Sequence, residues 1–330
     1  MAKTQTLALV GSESLIGREL RDLLSGNSLG QNLKLIAAGG EEAGKLTDHG
    51  GEPAFLLALE EESLESAHVI FLADTPEAAQ KVREVAPRAH LIDLTNALED
   101  MPQARLRAPM VEPRGYQVPG DSIHVIANAA AIAITVVLSR LHAAHKITGA
   151  LAHVFGPASE RGAPAVEELQ QQTIGLLSFK GQPKKIFDAQ LAFNLLPRYG
   201  EEAPVALEES ELRIERNLAT LLSHSGHAPI PSLRLIQAPV FHGYSISLWV
   251  EFESNPGIAT IEQVLEGDGV DVRGGDTEPP DAVGMAGQGG LAIGNVASDR
   301  NHPRAVWLWI VCDNLRLQAE NAILVAQQLL

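Results

Sequence analysis

The sequence predicts an α/β protein in which a parallel, helix-flanked sheet is followed by a second, mixed α/β domain. Three observations carry this reading. Short apolar runs alternate with helical stretches from the beginning of the chain. A glycine-bearing turn, Gly11-Ser12-Glu13-Ser14-Leu15-Ile16-Gly17, joins the first run to the first helical stretch. After residue 128 the alternation becomes irregular and longer strands take over.

Thr6 to Val10 reads as a buried strand and Arg18 to Leu24 as the helix behind the glycine turn. The first glycine permits the tight turn and the last permits close packing of helix on strand. A second strand covers Leu33 to Ala38 and ends in Gly39-Gly40. His68 to Ala73 is a third, and Thr75-Pro76-Glu77 then supplies a cap, a proline at the first helical position and an early acidic residue. Leu91 to Leu94 is a further strand. Ser232 to Gln237 and Gly243 to Glu251 are the longer strands of the second half. Gly267 to Gly290 is rich in Gly, Asp and Pro and reads as a long mobile loop. Asp313 to Leu330 is an amphipathic helix with Leu315, Ala319, Ala322, Ile323, Ala326 and Leu330 on one face. No internal repeat is evident.

The 330 residues suffice for two domains, and 45% hydrophobic content marks a globular chain. A formal net charge of −16 disfavours nucleic acid and anionic membranes as partners, and it requires any anion site to be built locally. One cysteine, Cys312, excludes a disulfide framework and a cysteine-rich zinc site; it reads as a small buried hydrophobe. His224 and His227 have no third ligand nearby in sequence, so no metal is expected. No signal-peptide pattern and no apolar run of roughly 18 residues is present, so a soluble cytoplasmic protein is expected.

Several segments, in order, resemble the aspartate-semialdehyde dehydrogenase family: Gly11 to Gly17, Ala43-Gly44-Lys45, Ile92-Asp93 with Ala97, Val166-Glu167-Glu168-Leu169, Ala192 to Pro197, Ala238 to Gly243, and Asp313 to Arg316. The resemblance spans essentially the whole chain, and the family's Usg-like branch is the nearest subgroup. It implies a Rossmann-like dinucleotide-binding domain over residues 1–128, completed by the C-terminal helix 314–330. It further implies a mixed α/β dimerisation domain over 129–313, and a homodimer.

The same resemblance places altered residues at the family's catalytic positions. In the segment Ile126 to Thr135 the nucleophilic Cys falls on Ala131, and a methyl group cannot replace a thiolate. The general-base His falls on Tyr244, a phenol with a pKa of about 10. His242, two residues earlier, would lie about 7 Å away along a regular strand and out of position. The Gln that holds the acyl carbonyl falls on Gly156. Substrate-anion positions carry Glu99 for Arg, Glu211 for Lys and Gln237 for Arg, while Glu208 is retained. A carboxylate about 4 Å from a substrate anion opposes binding by about 1 kcal/mol in water and about 4 at an effective dielectric of 20.

Cofactor-site residues implied by the resemblance are Gly11, Ser14, Ile16 and Gly17, with Glu41 and Glu42 where the family often has Arg-Ser. Ser14, at the middle glycine's position, either obstructs a pyrophosphate or donates a hydroxyl to it. Carboxylates at 41 and 42 repel a 2′-phosphate and accept from free ribose hydroxyls, so NAD is expected over NADP. Leu317-Gln318 adds bulk where the family has Lys-Gly near the nicotinamide. Two readings stay open. One is a non-catalytic homodimeric scaffold or regulator, with a second protein as partner. The other is an NAD-linked oxidoreductase of altered chemistry or a nucleotide-binding sensor.

Overall fold

The computed structural model describes residues 5–38, 43–86, 88–275 and 277–330. Two compact units emerge: Met1–Ala127 with Gln318–Leu330, and Asn128–Leu317.

The first unit begins with β1 (Thr6–Val10), α1 (Leu15–Ser25) and β2 (Leu33–Ile36), followed by the hairpin β3 (Leu46–His49) and β4 (Glu52–Phe55). The hairpin turns on Gly50 and Gly51, both at positive φ, as a two-residue turn matched to strand twist requires. Then come α2 (Glu61–Leu64), β5 (Ala67–Leu72), α3 (Pro76–Val85), β6 (His90–Asp93), β7 (Ala104–Arg107) and β8 (Ile123–Ile126). The main sheet runs β2-β1-β5-β6-β8-β7, and every pairing in it is parallel. Both faces are covered, which explains the unbroken apolar strands: β1 sends Leu7 and Leu9 into one core and Ala8 and Val10 into the other. The first core includes Leu20 and Leu24 of α1 with Ala319, Ala322 and Ile323 of the C-terminal helix; the second includes Ala78, Ala79 and Val82 of α3.

The second unit opens with α4 (Ala129–Ala144), apolar on all sides and almost wholly buried. It continues with β9 (Ile147–Gly156), α5 (Gly162–Leu177), α6 (Leu207–His224), β10 (Ser232–Gln237), β11 (Tyr244–Phe252), α7 (Ile258–Leu265), β12 (Val270–Arg273), α8 (Ala282–Met285), β13 (Leu291–Ser298) and β14 (Ala305–Cys312). These strands form one mixed sheet, β10-β9-β11-β14-β13-β12. Helix α9 (Asn314–Leu329) closes the chain; Asp313 caps it by accepting from the amides of Leu315 and Arg316 at 2.9 and 3.0 Å.

Two expectations change. Residues 267–290 contain a strand and a short helix, not one long loop: β12 pairs in parallel with β13, and Asp281 caps α8 through the amides of Val283 and Gly284. Single-chain periodicity could not show this, because four residues become a strand only through their partner strand. Strand β11 also starts at Tyr244, behind a Gly243 with φ +86, so His242 lies outside the strand and the regular-strand spacing does not describe it.

Candidate functional site

In the first unit the chain order reverses beside β1, whose neighbours are β2 and β5, so the carboxyl ends of β1 and β5 form a topological switch point. Gly11 leaves β1 with φ +85, and a side chain there would run into Asp74. A side chain on Gly17 would run into the Gly11 carbonyl. Both glycines are therefore sterically required. Ser14 is the N-cap of α1: its Oγ accepts from the Gly17 amide at 3.0 Å and donates to the Ala73 carbonyl at 2.5 Å. The hydroxyl thus occupies one amide that a phosphate would otherwise take. The amides of Leu15 and Ile16, ahead of the first intrahelical bond, remain for an anion. The Ser12 hydroxyl is buried in the same turn without a hydrogen-bond partner. Glu13 is paired with Arg21 and Arg18 and accepts from Thr47, which hold its carboxyl below the usual range against a desolvation that pushes it up. Asp74 goes the other way, raised by burial and by Glu77.

Alongside this turn lies a cavity of about 520 Å³ lined by residues including Ala37, Ala38, Glu60, Thr75, Glu77 and Lys81. Its volume suits a small ligand. The helix start offers backbone donors to an anion, with one amide withdrawn by Ser14, and the cavity lies at the ends of β2 and β5. Glu41 and Glu42 lie outside the described residues. The Gln318 side chain is buried and donates to the Ala127 carbonyl at 3.3 Å.

The second unit gathers Asn128, Gly156, Glu160 and Tyr244 into one network. Asn128 caps α4, accepting from the Ala130 amide at 2.8 Å. Its side-chain amide donates to Glu160 Oε1 at 2.8 Å and to the Tyr244 hydroxyl at 3.2 Å. Its own backbone amide donates to Asn217 Oδ1 at 2.8 Å. Tyr244 is 0% exposed, and its hydroxyl bonds to Glu160. Its ring packs beside Gly156, where a Cβ would meet Leu235 Cδ1 at 3.4 Å and Tyr244 Cε1 at 3.5 Å, both ordinary contacts. Ala131, also 0% exposed, sits in the first turn of α4. Asn314 anchors the rim: its Oδ1 accepts from Ser159 Oγ at 3.1 Å and from the Gly243 amide at 3.0 Å.

The titrations follow from this packing. Burial first, then the Glu160 charge, pushes the Tyr244 phenol well above 10. Burial also raises Glu160, opposed by Arg161 and by a hydrogen bond from Tyr244. Cys312, paired with Tyr244 across β14 and β11, is buried and its thiol is raised far from thiolate formation. Sequence reasoning missed Glu160. The available signal was a Glu-Arg pair within the small-residue run Pro157 to Pro164.

The substrate-anion positions divide. Glu208 and Glu211 line one cavity of about 320 Å³ together with Arg198 and Arg234. Glu211 accepts from the Leu235 amide at 2.6 Å and lies 3.7 Å from Arg234. The two arginines, not foreseen from the sequence, share that cavity with the two carboxylates. Gln237 is buried and fully engaged: it donates to the carbonyls of Gly156 and Ala238 and accepts from the Tyr199 hydroxyl at 2.6 Å. Glu99 belongs to the first unit, where its charge helps raise Asp93. Among the described residues no group of three His, Cys, Asp or Glu side chains could hold a metal ion.

Known proteins share this architecture. The family of the semialdehyde dehydrogenase dimerisation domain matches residues 138–317. Aspartate-semialdehyde dehydrogenase of Rickettsia bellii is 26% identical, over 100% of this chain and 99% of its own. The USG-1 protein homolog of Pseudomonas aeruginosa is 27% identical, over 100% and 99%. A solved structure of a probable aspartate-semialdehyde dehydrogenase from Pseudomonas aeruginosa is 28% identical, covers 99% of this chain and 98% of its own, and superposes with a TM-score of 0.85. A parallel glycine-turn unit followed by a mixed-sheet unit, matched end to end by these relatives, places the chain in the aspartate-semialdehyde dehydrogenase family, in its Usg-like branch.

Proposed function

We propose that this member of an NAD(P)-dependent family is a non-catalytic homodimer that serves as a scaffold or regulator. The observation that carries the reading is the closed Tyr244–Asn128–Glu160 network beside Gly156, with Ala131 in the adjoining first turn of α4. No thiolate can form there, and the phenol at the base position is held protonated by its burial. The dimer reading rests on the family and on the face of the mixed sheet where Leu151, Trp249 and Trp307 stand in one cross-strand row, each half-buried. A second copy of the chain would cover this row.

The test is a direct assay with aspartate semialdehyde, phosphate and NADP, for which no turnover is expected. Restoring Cys at Ala131 and His at Tyr244 is expected to leave the protein inactive, because Glu99 and Glu211 still stand where the family has cations. Turnover by the native chain, or rescue by those two changes alone, overturns the reading.

A second reading, nucleotide binding with altered redox chemistry, is favoured by the cavity of about 520 Å³ at the switch point and by the free amides of Leu15 and Ile16. A nicotinamide nucleotide supplies hydride transfer when bound. The second unit's network contains an acid–base group, Glu160, whose proton affinity burial raises. NAD over NADP remains the preferred nucleotide, on the charges of Glu41 and Glu42. Calorimetry with NAD, NADH, NADP and NADPH decides: no heat and no thermal shift with any of the four removes this second reading.

A further inference from the structure

At the opposite, amino-terminal end of the first unit's sheet lies a second pocket, of about 360 Å³, whose lining includes Arg83, Arg88, His90, Met101, Asp121 and Ser122. Its position follows from the strand directions. His90 and Ile123 begin β6 and β8, whereas the glycine turn follows the end of β1. Neither the family's reaction nor the proposed scaffold role uses it.

Two features point to an anion. The first is charge: two arginines and a histidine converge in a chain whose formal net charge is −16. Both arginines are exposed, and among the described residues the Arg83 guanidinium donates to Met101 Sδ at 3.3 Å, a weak acceptor that leaves strong donors over. The second is independent of charge. Ser122 is 4% exposed, and its hydroxyl is buried without a hydrogen-bond partner. Buried hydroxyls in folded proteins nearly always have one, so Ser122, which lines the pocket, has a donor left to place. Against an anion stand the Asp121 carboxylate and the carboxyl-terminal end of α3, worth about half a negative charge. Two permanent guanidinium charges outweigh them.

We propose that this pocket binds a small phosphate-bearing anion, with Arg83 and Arg88 as charge-assisted donors and Ser122 as the hydroxyl donor. Arginine forks match phosphate oxygens in pairs, and the pocket's volume admits a small phosphomonoester as well as inorganic phosphate.

The experiment is calorimetric titration of the full chain with inorganic phosphate and with glycerol phosphate at fixed ionic strength. Saturable binding is expected, and the double change Arg83→Gln with Arg88→Gln is expected to weaken it roughly tenfold or more. Ser122→Ala is expected to weaken it as well while leaving the melting temperature of the ligand-free protein no lower, because the lost hydroxyl had no partner. Arg198→Gln, in the separate pocket of the second unit, is expected to change nothing. Tighter binding of glycerol phosphate supports the site and assigns it to a phosphomonoester; equal binding supports it as a site for the phosphate group alone. Absence of saturable binding in the native chain overturns the proposal, as does phosphate binding that Arg198→Gln removes and the double arginine change leaves intact.

Discussion

The Tyr244 hydroxyl lies 3.2 Å from the side-chain amide of Asn128 and gives its own hydrogen to Glu160. Asn128 caps the helix that carries Ala131, so the strand tyrosine and the helix start are locked to one another. The pairing ties the buried Tyr244 side chain to the cap of α4 in the interior of the second unit.

Tyr244→Phe keeps the ring that packs beside Gly156 and deletes only the hydroxyl. It leaves a Glu160 oxygen and an Asn128 N–H short of a partner in the interior. A loss of about 1–3 kcal/mol is expected, read as a lower urea midpoint at unchanged slope. A variant as stable as the native chain shows that the network does not hold the fold.

Glu160 titrates above the usual carboxyl value of 4.5 because burial disfavours its charge. The folded chain therefore holds this proton more tightly than the unfolded chain does. The resulting stabilisation is fully present below pH 4.5 and is lost as pH rises through the raised folded value. Glu160→Gln mimics the protonated form. Relative to the native chain it is expected to gain stability as pH rises above 4.5, measured by denaturant unfolding at several pH values. A constant difference across that range refutes the raised affinity.

His124 behaves in the opposite sense. It is 1% exposed, and burial first and the Arg107 charge next lower it to about 3. Arg107 Nη1 donates to its Nδ1 at 3.0 Å, which requires the neutral ring. Arg107 is in turn bound to Glu112 and to Gln328 of α9. The unfolded chain takes up a proton below pH 6.5 that the folded chain refuses, so stability falls as pH drops from 6.5 toward 3. One such proton contributes a slope of about 1.4 kcal/mol per pH unit. His124→Gln is expected to flatten the pH dependence of unfolding in that window by close to this amount; an unaltered slope counts against a neutral His124.

Ser14→Gly removes the hydroxyl that occupies the Gly17 amide. Replacing a serine cap by glycine costs a few tenths of a kcal/mol, and the lost bond to the Ala73 carbonyl about 1 kcal/mol more, while one further amide becomes open to a phosphate. Nucleotide affinity is expected to rise roughly tenfold, the effect of a single charge-assisted hydrogen bond. Unchanged affinity by calorimetry removes Ser14 as an obstacle at that turn.

The sequence by itself determined the elements of the parallel unit. Apolar strands, the turn from Gly11 to Gly17 and the Thr75-Pro76 helix start are local signals, and the structure keeps them within a few residues. It determined the family too, through short motifs whose meaning became physical only afterwards. Glu168, read as part of a motif, is a buried carboxylate that accepts from the amides of Ile186 and Phe187, and Gln172 one turn later accepts from those of Leu191 and Ala192. Only the tertiary structure decided that Glu160 joins Asn128 and Tyr244, that Arg198 and Arg234 share a pocket with Glu208 and Glu211, and that Ser122 lines one pocket with Arg83 and Arg88. Those partners stand tens of residues apart in the chain. Their charges and hydrogen bonds depend on distance and burial, which no local pattern encodes, whereas strands and helix caps depend on neighbours a few residues away.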